Sequence, residues 1–263
     1  MGQREEPVKD SIFLLGLAAD KFRQSVIGLT LALLLLFSWI GLHIATNFFW
    51  PYPWSGESLW AIPFGVALMT WLYVAIFIVA HDCMHGTMAP SWLWLNPWIG
   101  RICLFCYSAF SFDVMREAHR HHHMNPGTSK DPDYFAGPPQ SFWRWYFKFL
   151  FQYFGLRQVL IIVTVAWIYI ALGAHYQNLL MFWFLPSVLS SIQLFVFGTY
   201  LPHREEEVAF ADRHRARSTD YPWLISLLTC LHFCYHHDHH SIPGVPWWRL
   251  PHLQTTRRTK AEH

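Results

Sequence analysis

Two long apolar runs, residues 25–49 and 59–80, lie on either side of a short turn, Trp50, Pro51, Tyr52, Pro53, Trp54, Ser55 and Gly56. A second pair, residues 154–172 and 179–201, is joined by residues 173–178. About 20 apolar residues carry a helix across the hydrocarbon of a bilayer. The pattern therefore predicts an all-α integral membrane protein with transmembrane helices at 25–49, 59–80, 154–172 and 179–201, four crossings in two hairpins. The third starts before its most apolar part, residues 159–172. Residues 92–112 are also apolar, but Pro97, Arg101 and limited length predict an interfacial or re-entrant helix. Residues 142–154, aromatic with Arg144 and Lys148, read as a helix lying in the membrane surface. No repeat, low-complexity tract or appended soluble part interrupts residues 1–263, which read as one membrane domain.

Charge orients this arrangement. All Lys and Arg fall within residues 4–23, 101–157 and 204–260, and neither hairpin turn contains any. By the positive-inside rule both termini and the central segment are cytoplasmic and the turns external. Composition agrees, with 53% hydrophobic and only 14% charged residues, against about 25% charged in soluble domains. A net charge of +2 supplies no field for a phosphate backbone and excludes nucleic acid as a partner. The five cysteines lie in or beside apolar segments and are expected as free thiols; the CxxC of Cys103 and Cys106 is attributed to packing. Residues 1–24 mix both charge signs, and the apolar run after them is too long and aromatic for the core of a cleaved leader.

Histidine is the compositional outlier, at 17 residues. His81 and His85 stand at i and i+4, where the second run meets the cytoplasm. His119, His122 and His123 form an HxxHH cluster, as do His236, His239 and His240. On a helix each spacing puts its imidazoles on one face, close enough to share a metal. His203, where the fourth run ends, is a ninth candidate. Nine imidazoles exceed the needs of one four- to six-coordinate ion, so two metals are expected, and imidazole suits iron, zinc, copper or nickel. Asp82, Asp131, Asp133 and Asp238 are candidate partners for the ring N–H groups, while Glu117 reads as solvated surface. His232 reads equally as such a partner or as a packed residue. His121, about 200° from His119 around a helix, and His237, about 100° from His236, are poorly aimed at a shared metal. His43, His175, His214, His252 and His263 are expected at the surface or the membrane interface.

The three boxes resemble those of the membrane fatty-acid-desaturase and hydroxylase superfamily. More narrowly, the chain is similar to bacterial and cyanobacterial beta-carotene ketolases, on HDCMHG at 81–86, PGTSKDPDY at 126–134, FGTYLPHR at 197–204 and the segment 236–251 ending in VPWWRLP. His121, His237 and the charge of Arg120 depart from that pattern. The resemblance implies a cytoplasmic histidine-box cap holding two Fe(2+) ions, with the nine histidines as ligands and O2 as co-substrate. The implied reaction turns the C4 methylene of a carotenoid beta-ionone ring into a ketone by two hydroxylations and loss of water. It also implies a bacterial inner or cyanobacterial membrane. The chain has no dinucleotide fingerprint, iron–sulfur cysteine set or haem-attachment motif. Electrons must come from outside, and the resemblance suggests ferredoxin and its reductase. A lipid desaturase, an alkane hydroxylase or a carotenoid 3-hydroxylase would share the boxes. A metal transporter or sensor would instead place ionisable ligands inside the spans.

Overall fold

Within lipid a backbone can satisfy its N–H and C=O groups only internally, and a single segment does so as a helix. The computed structural model describes residues 6–137 and 141–261, with side chains from 20 to 255 within them. His263 lies outside the described residues. Among those described there is no strand. Helix α1, Glu6–Ile44, ends in a π-turn, Ala45–Phe49. Next come α2 (Gly56–His85), α3 (Leu95–Ser108), α4 (Phe112–Met124), α5 (Phe142–Tyr153) and α6 (Leu156–Ala171). Helix α7, Tyr176–His203, contains the π-turns Leu180–Phe184 and Val196–Tyr200. It is followed by α8 (Trp223–Cys230), α9 (His236–Ser241) and α10 (Leu250–Ala261).

Three stretches are long and apolar enough to cross a membrane: Asp20–Phe49, Gly56–His85 and Tyr176–His203. The predicted third crossing is shorter than expected. Helix α6 has 16 residues, which gives about 24 Å against about 30 Å of hydrocarbon. Extended backbone at Phe154 and Gly155 breaks the run, and α5 leaves at 75°.

The core follows from the position of α2, which packs against α1, α3 and α7. Its side chains at Met69, Tyr73, Val74, Ala75, Ile76, Val79 and Ala80 are fully enclosed. At one end the two short turns meet, Trp54 Nε1 donating to Asn178 Oδ1 (2.9 Å) and Asn178 Nδ2 to the Trp50 carbonyl (2.9 Å). At the other, Gln24 Nε2 donates to the Thr87 carbonyl (2.8 Å) and the Ser91 N–H to Ser25 Oγ (2.8 Å). Helices α5 and α6 together touch both ends: Tyr153, the last residue of α5, donates to Asp133, and Tyr169 of α6 packs on His43 and Phe48.

Helix α3 lies along α2 until Tyr107 packs on Tyr73 and Phe77. These lie 8 to 12 residues before His85, about 12–18 Å along the helix. The chain then reverses at Ala109 (φ 54°), and α4 leaves at 101° to return to the level of His81. His43 is not at the surface as expected. It is buried in α1, stacked on Trp39 with its Nδ1 facing Asn47 Nδ2 at 3.4 Å.

Candidate metal centre

Three helix ends and one short helix build the site. Gly86, in the left-handed region (φ 73°), stops α2 directly after His85, so the last turn presents His81 and His85 together. Helix α4 starts at Ser111, whose Oγ caps the Val114 N–H, and carries His119, His122 and His123 one turn from its end. The short helix α9 carries His236, His239 and His240, and α7 ends on His203.

The boxes do not each serve one face, as their spacing suggested. They interleave. His81, His85, His119, His123 and His239 form one group, and His122, His203, His236 and His240 the other, with the candidate ligand atoms of each within 4.8 Å of one another. Helical angles explain the split. Residues at i and i+4 differ by about 40°, while i+3 falls about 60° to the other side. His119 and His123 therefore face one group and His122 the other; His236 and His240 stay together while His239 crosses over.

The Nε2 atoms converge. His85 and His119 approach to 2.8 Å, His123 and His239 to 3.0 Å, His122 and His240 to 3.1 Å, and His236 to 3.0 Å from both His203 and His240. Two nitrogens about 2.1 Å from one ion stand roughly 3.0–3.4 Å apart at octahedral or tetrahedral angles. The spacing thus fits two ions. Burial and neighbouring imidazoles hold His236, His239 and His240 well below the usual histidine range, so these rings are neutral with lone pairs to offer. His81 Nε2 is buried with no protein partner.

Outward contacts set the rings. His81 Nδ1 faces Asp82 Oδ1 (3.2 Å), His122 Nδ1 faces Asp131 Oδ2 (2.9 Å), and His203 Nδ1 faces the Arg215 carbonyl (2.7 Å). Each contact places the proton on Nδ1 and frees Nε2. Burial would raise the Asp131 carboxyl, but bonds from His122 and the Gly127 and Asp133 N–H groups bring it below its ordinary value. Asp82 Oδ2 also accepts the Trp247 N–H (2.9 Å), tying α2 to the C-terminal segment.

The remaining candidate partners have further contacts of their own. Asp133 accepts from Tyr153 Oη and lies with Asp131 within 4.8 Å of His122, a third group of possible ligand atoms, and burial raises its pKa. Asp238, buried in α9, accepts from Ser218 Oγ (3.2 Å). His232 bonds Ser226 Oγ (2.8 Å) and packs among Trp223, Tyr235 and Trp247, which makes it a packed residue. His121 turns out to Glu117 (3.0 Å) and His237 to Asp212 (2.8 Å).

A narrow cavity of about 70 Å³ opens beside both groups. Phe77, Met84, Met115, Phe149, Leu194 and Phe233 line it, with His81 and His119 from one group and His122 and His236 from the other. Tyr153, Gly198 and Thr199 also reach it; no spacing signal marked them.

The fatty acid desaturase profile matches residues 57–164 and 152–263. The chain belongs to the fatty acid desaturase family. Among its members, a beta-carotene ketolase of Paracoccus sp. (strain PC1) is 43% identical over 88% of this chain and 92% of its own length. A second, from Paracoccus sp. (strain N81106 / MBIC 01143), is 43% identical over 83% and 88%. A zeaxanthin 4-ketolase of Chlamydomonas reinhardtii is 32% identical over 91% of this chain and 56% of its own. In this desaturase-family chain the histidine boxes are thus neither a tag nor a surface patch, and all nine box and helix-end histidines lie in the two groups.

Proposed function

We propose that the protein is a membrane di-iron oxygenase that converts the C4 methylene of carotenoid beta-ionone rings to a ketone, using O2 and electrons from an external donor such as ferredoxin with its reductase. The observation that carries this reading is the pair of interleaved imidazole groups in a chain 43% identical to beta-carotene ketolases. His81, His85, His119, His123 and His239 would hold one iron, and His122, His203, His236 and His240 the other. Two ferrous ions supply the activation of O2 against an allylic C–H bond, which no side chain lining the cavity can do. Asp82 and Asp131 keep Nε2 lone pairs aimed inward. The apolar cavity wall excludes water, and Tyr153 holds its proton against Asp133 at that wall.

A carotenoid is about as long as the hydrocarbon core is thick, so one ring can reach the metals while the polyene stays among apolar helices. In this reading the chain is one membrane domain with four crossings, α6 being the third, and a cytoplasmic metal end. Its membrane is a bacterial inner or cyanobacterial one. Expression in a beta-carotene-producing host should yield echinenone and canthaxanthin, and the purified protein should hold two irons per chain. Unchanged pigment, or stoichiometric zinc with activity surviving iron chelation, would sink the proposal.

A further inference from the structure

Glycine is disfavoured inside a helix relative to alanine, because it has more freedom to lose. Gly198 nevertheless stands inside α7, in the π-turn Val196–Tyr200. Three circumstances require glycine: a positive φ, a close approach by another chain segment, or space that must stay open. Gly198 is not among the glycines with positive φ. Nothing approaches it, since a Cβ built there meets no atom within 4 Å beyond its chain neighbours and the backbone of its own helix. At Gly100, by contrast, the same atom would strike the Phe112 ring at 2.1 Å, and at Gly28 the Met88 carbonyl at 2.1 Å. Open space is what remains, and Gly198 lines the cavity beside the two imidazole groups.

The surrounding wall is unevenly stiff. Met84 and Met115 are unbranched and can withdraw from an incoming ligand. A substituent on the α7 backbone cannot, because it moves only with the helix that also carries His203. A methyl group is close in size to a water, and one added at Gly198 would intrude on a cavity of only about 70 Å³.

We infer that Gly198 determines specificity: its missing side chain keeps open the place taken by the ring being oxidised and by any substituent next to the reacting carbon. This deepens the proposed function and rests on it for the identity of the ring. A ring with a hydroxyl on the neighbouring C3 needs more of that space than an unsubstituted one.

The test compares the wild type with Gly198→Ala and Gly198→Leu in two hosts, one accumulating beta-carotene and one its 3,3′-dihydroxy derivative. Ketone yield, carotenoid co-purifying with the protein, iron content and thermal midpoint are all measured. Gly198→Ala should keep its iron, melt at or above the wild-type midpoint, and lose about tenfold in ketone yield on the hydroxylated ring, with a smaller loss on the unsubstituted one. Gly198→Leu should keep its iron yet lose at least about tenfold on both substrates, with less carotenoid bound. Equal losses on both rings in the alanine variant, or wild-type yield and pigment in the leucine variant, would overturn the inference. If the leucine variant loses iron, the substrate ratio of the alanine variant alone decides. A wild type that makes no ketone in either host defeats the proposed function instead. Co-purified carotenoid then still reports on the slot: less pigment on Gly198→Leu than on wild type supports it, and equal pigment overturns it.

Discussion

Helices α2 and α6 are both apolar runs that read alike as membrane helices, yet protein surrounds one and leaves the other bare. From Met69 to Cys83 nearly every side chain of α2 is buried. In α6 only Gln158 is, while Leu160 and Trp167 are 58% and 67% exposed. Lipid tails solvate leucine as well as another leucine does, so apolarity alone does not draw helices together in a bilayer. Packing decides. The α2 surroundings fix where His81 and His85 point, while α6 leaves most of its apolar side chains exposed.

The sharpest way to break this contrast lies at the metal end. His122→Ala removes a candidate ligand of the four-histidine group and should abolish ketone formation and lower bound iron. His121→Ala, one residue away but turned out to Glu117, should keep its iron and at least part of the activity. Iron analysis beside pigment extraction decides; equal loss in both variants would mean that α4 does not present its boxes as described. Next in size is Asp131→Asn, which keeps the shape but weakens the hold on His122 Nδ1. Iron affinity should fall about 10–100-fold, read by competition with a chelator, and unchanged affinity would remove Asp131 from the site. The smallest effect concerns the helices themselves. Ile76→Ala in α2, at a fully buried position, should cost about 2 kcal/mol or more and lower the thermal midpoint in detergent. Leu160→Ala in α6 should stay within about 0.5 kcal/mol. Similar shifts for the two would erase the distinction between enclosed and exposed helix.

The histidine chemistry was legible in the sequence because i, i+3 and i+4 spacings carry angular information, and angles survive folding. How the boxes divide between the two groups was not, because the 60° lean of His122 and His239 matters only once a facing helix is known. Apolar runs located α1, α2 and α7. The run at 154–172 was read as a longer helix because hydropathy does not sense the extended backbone at Phe154 and Gly155. The burial of His43, expected at the surface or the membrane interface, escapes the sequence for a related reason: its stacking partner Trp39 is local, but burial depends on Tyr169 and Trp183, far along the chain. Likewise Tyr153, at the end of α5, reaches back 20 positions to Asp133 in the segment before that helix, a pairing no local pattern encodes.

The hydrogen bond from the Trp247 N–H to Asp82 joins residues 165 positions apart, and it bears on the order of events during biosynthesis. Chains emerge from the ribosome N-terminus first. When α2 enters the membrane, His81 and His85 have neither His239 opposite them nor the brace that Trp247 gives Asp82. The second group waits equally for His203, His236 and His240. Each group draws on α9, one on His239 and the other on His236 and His240, so neither is complete until α9 has been made and has folded back toward α2. A truncation before α9 would leave both histidine groups incomplete.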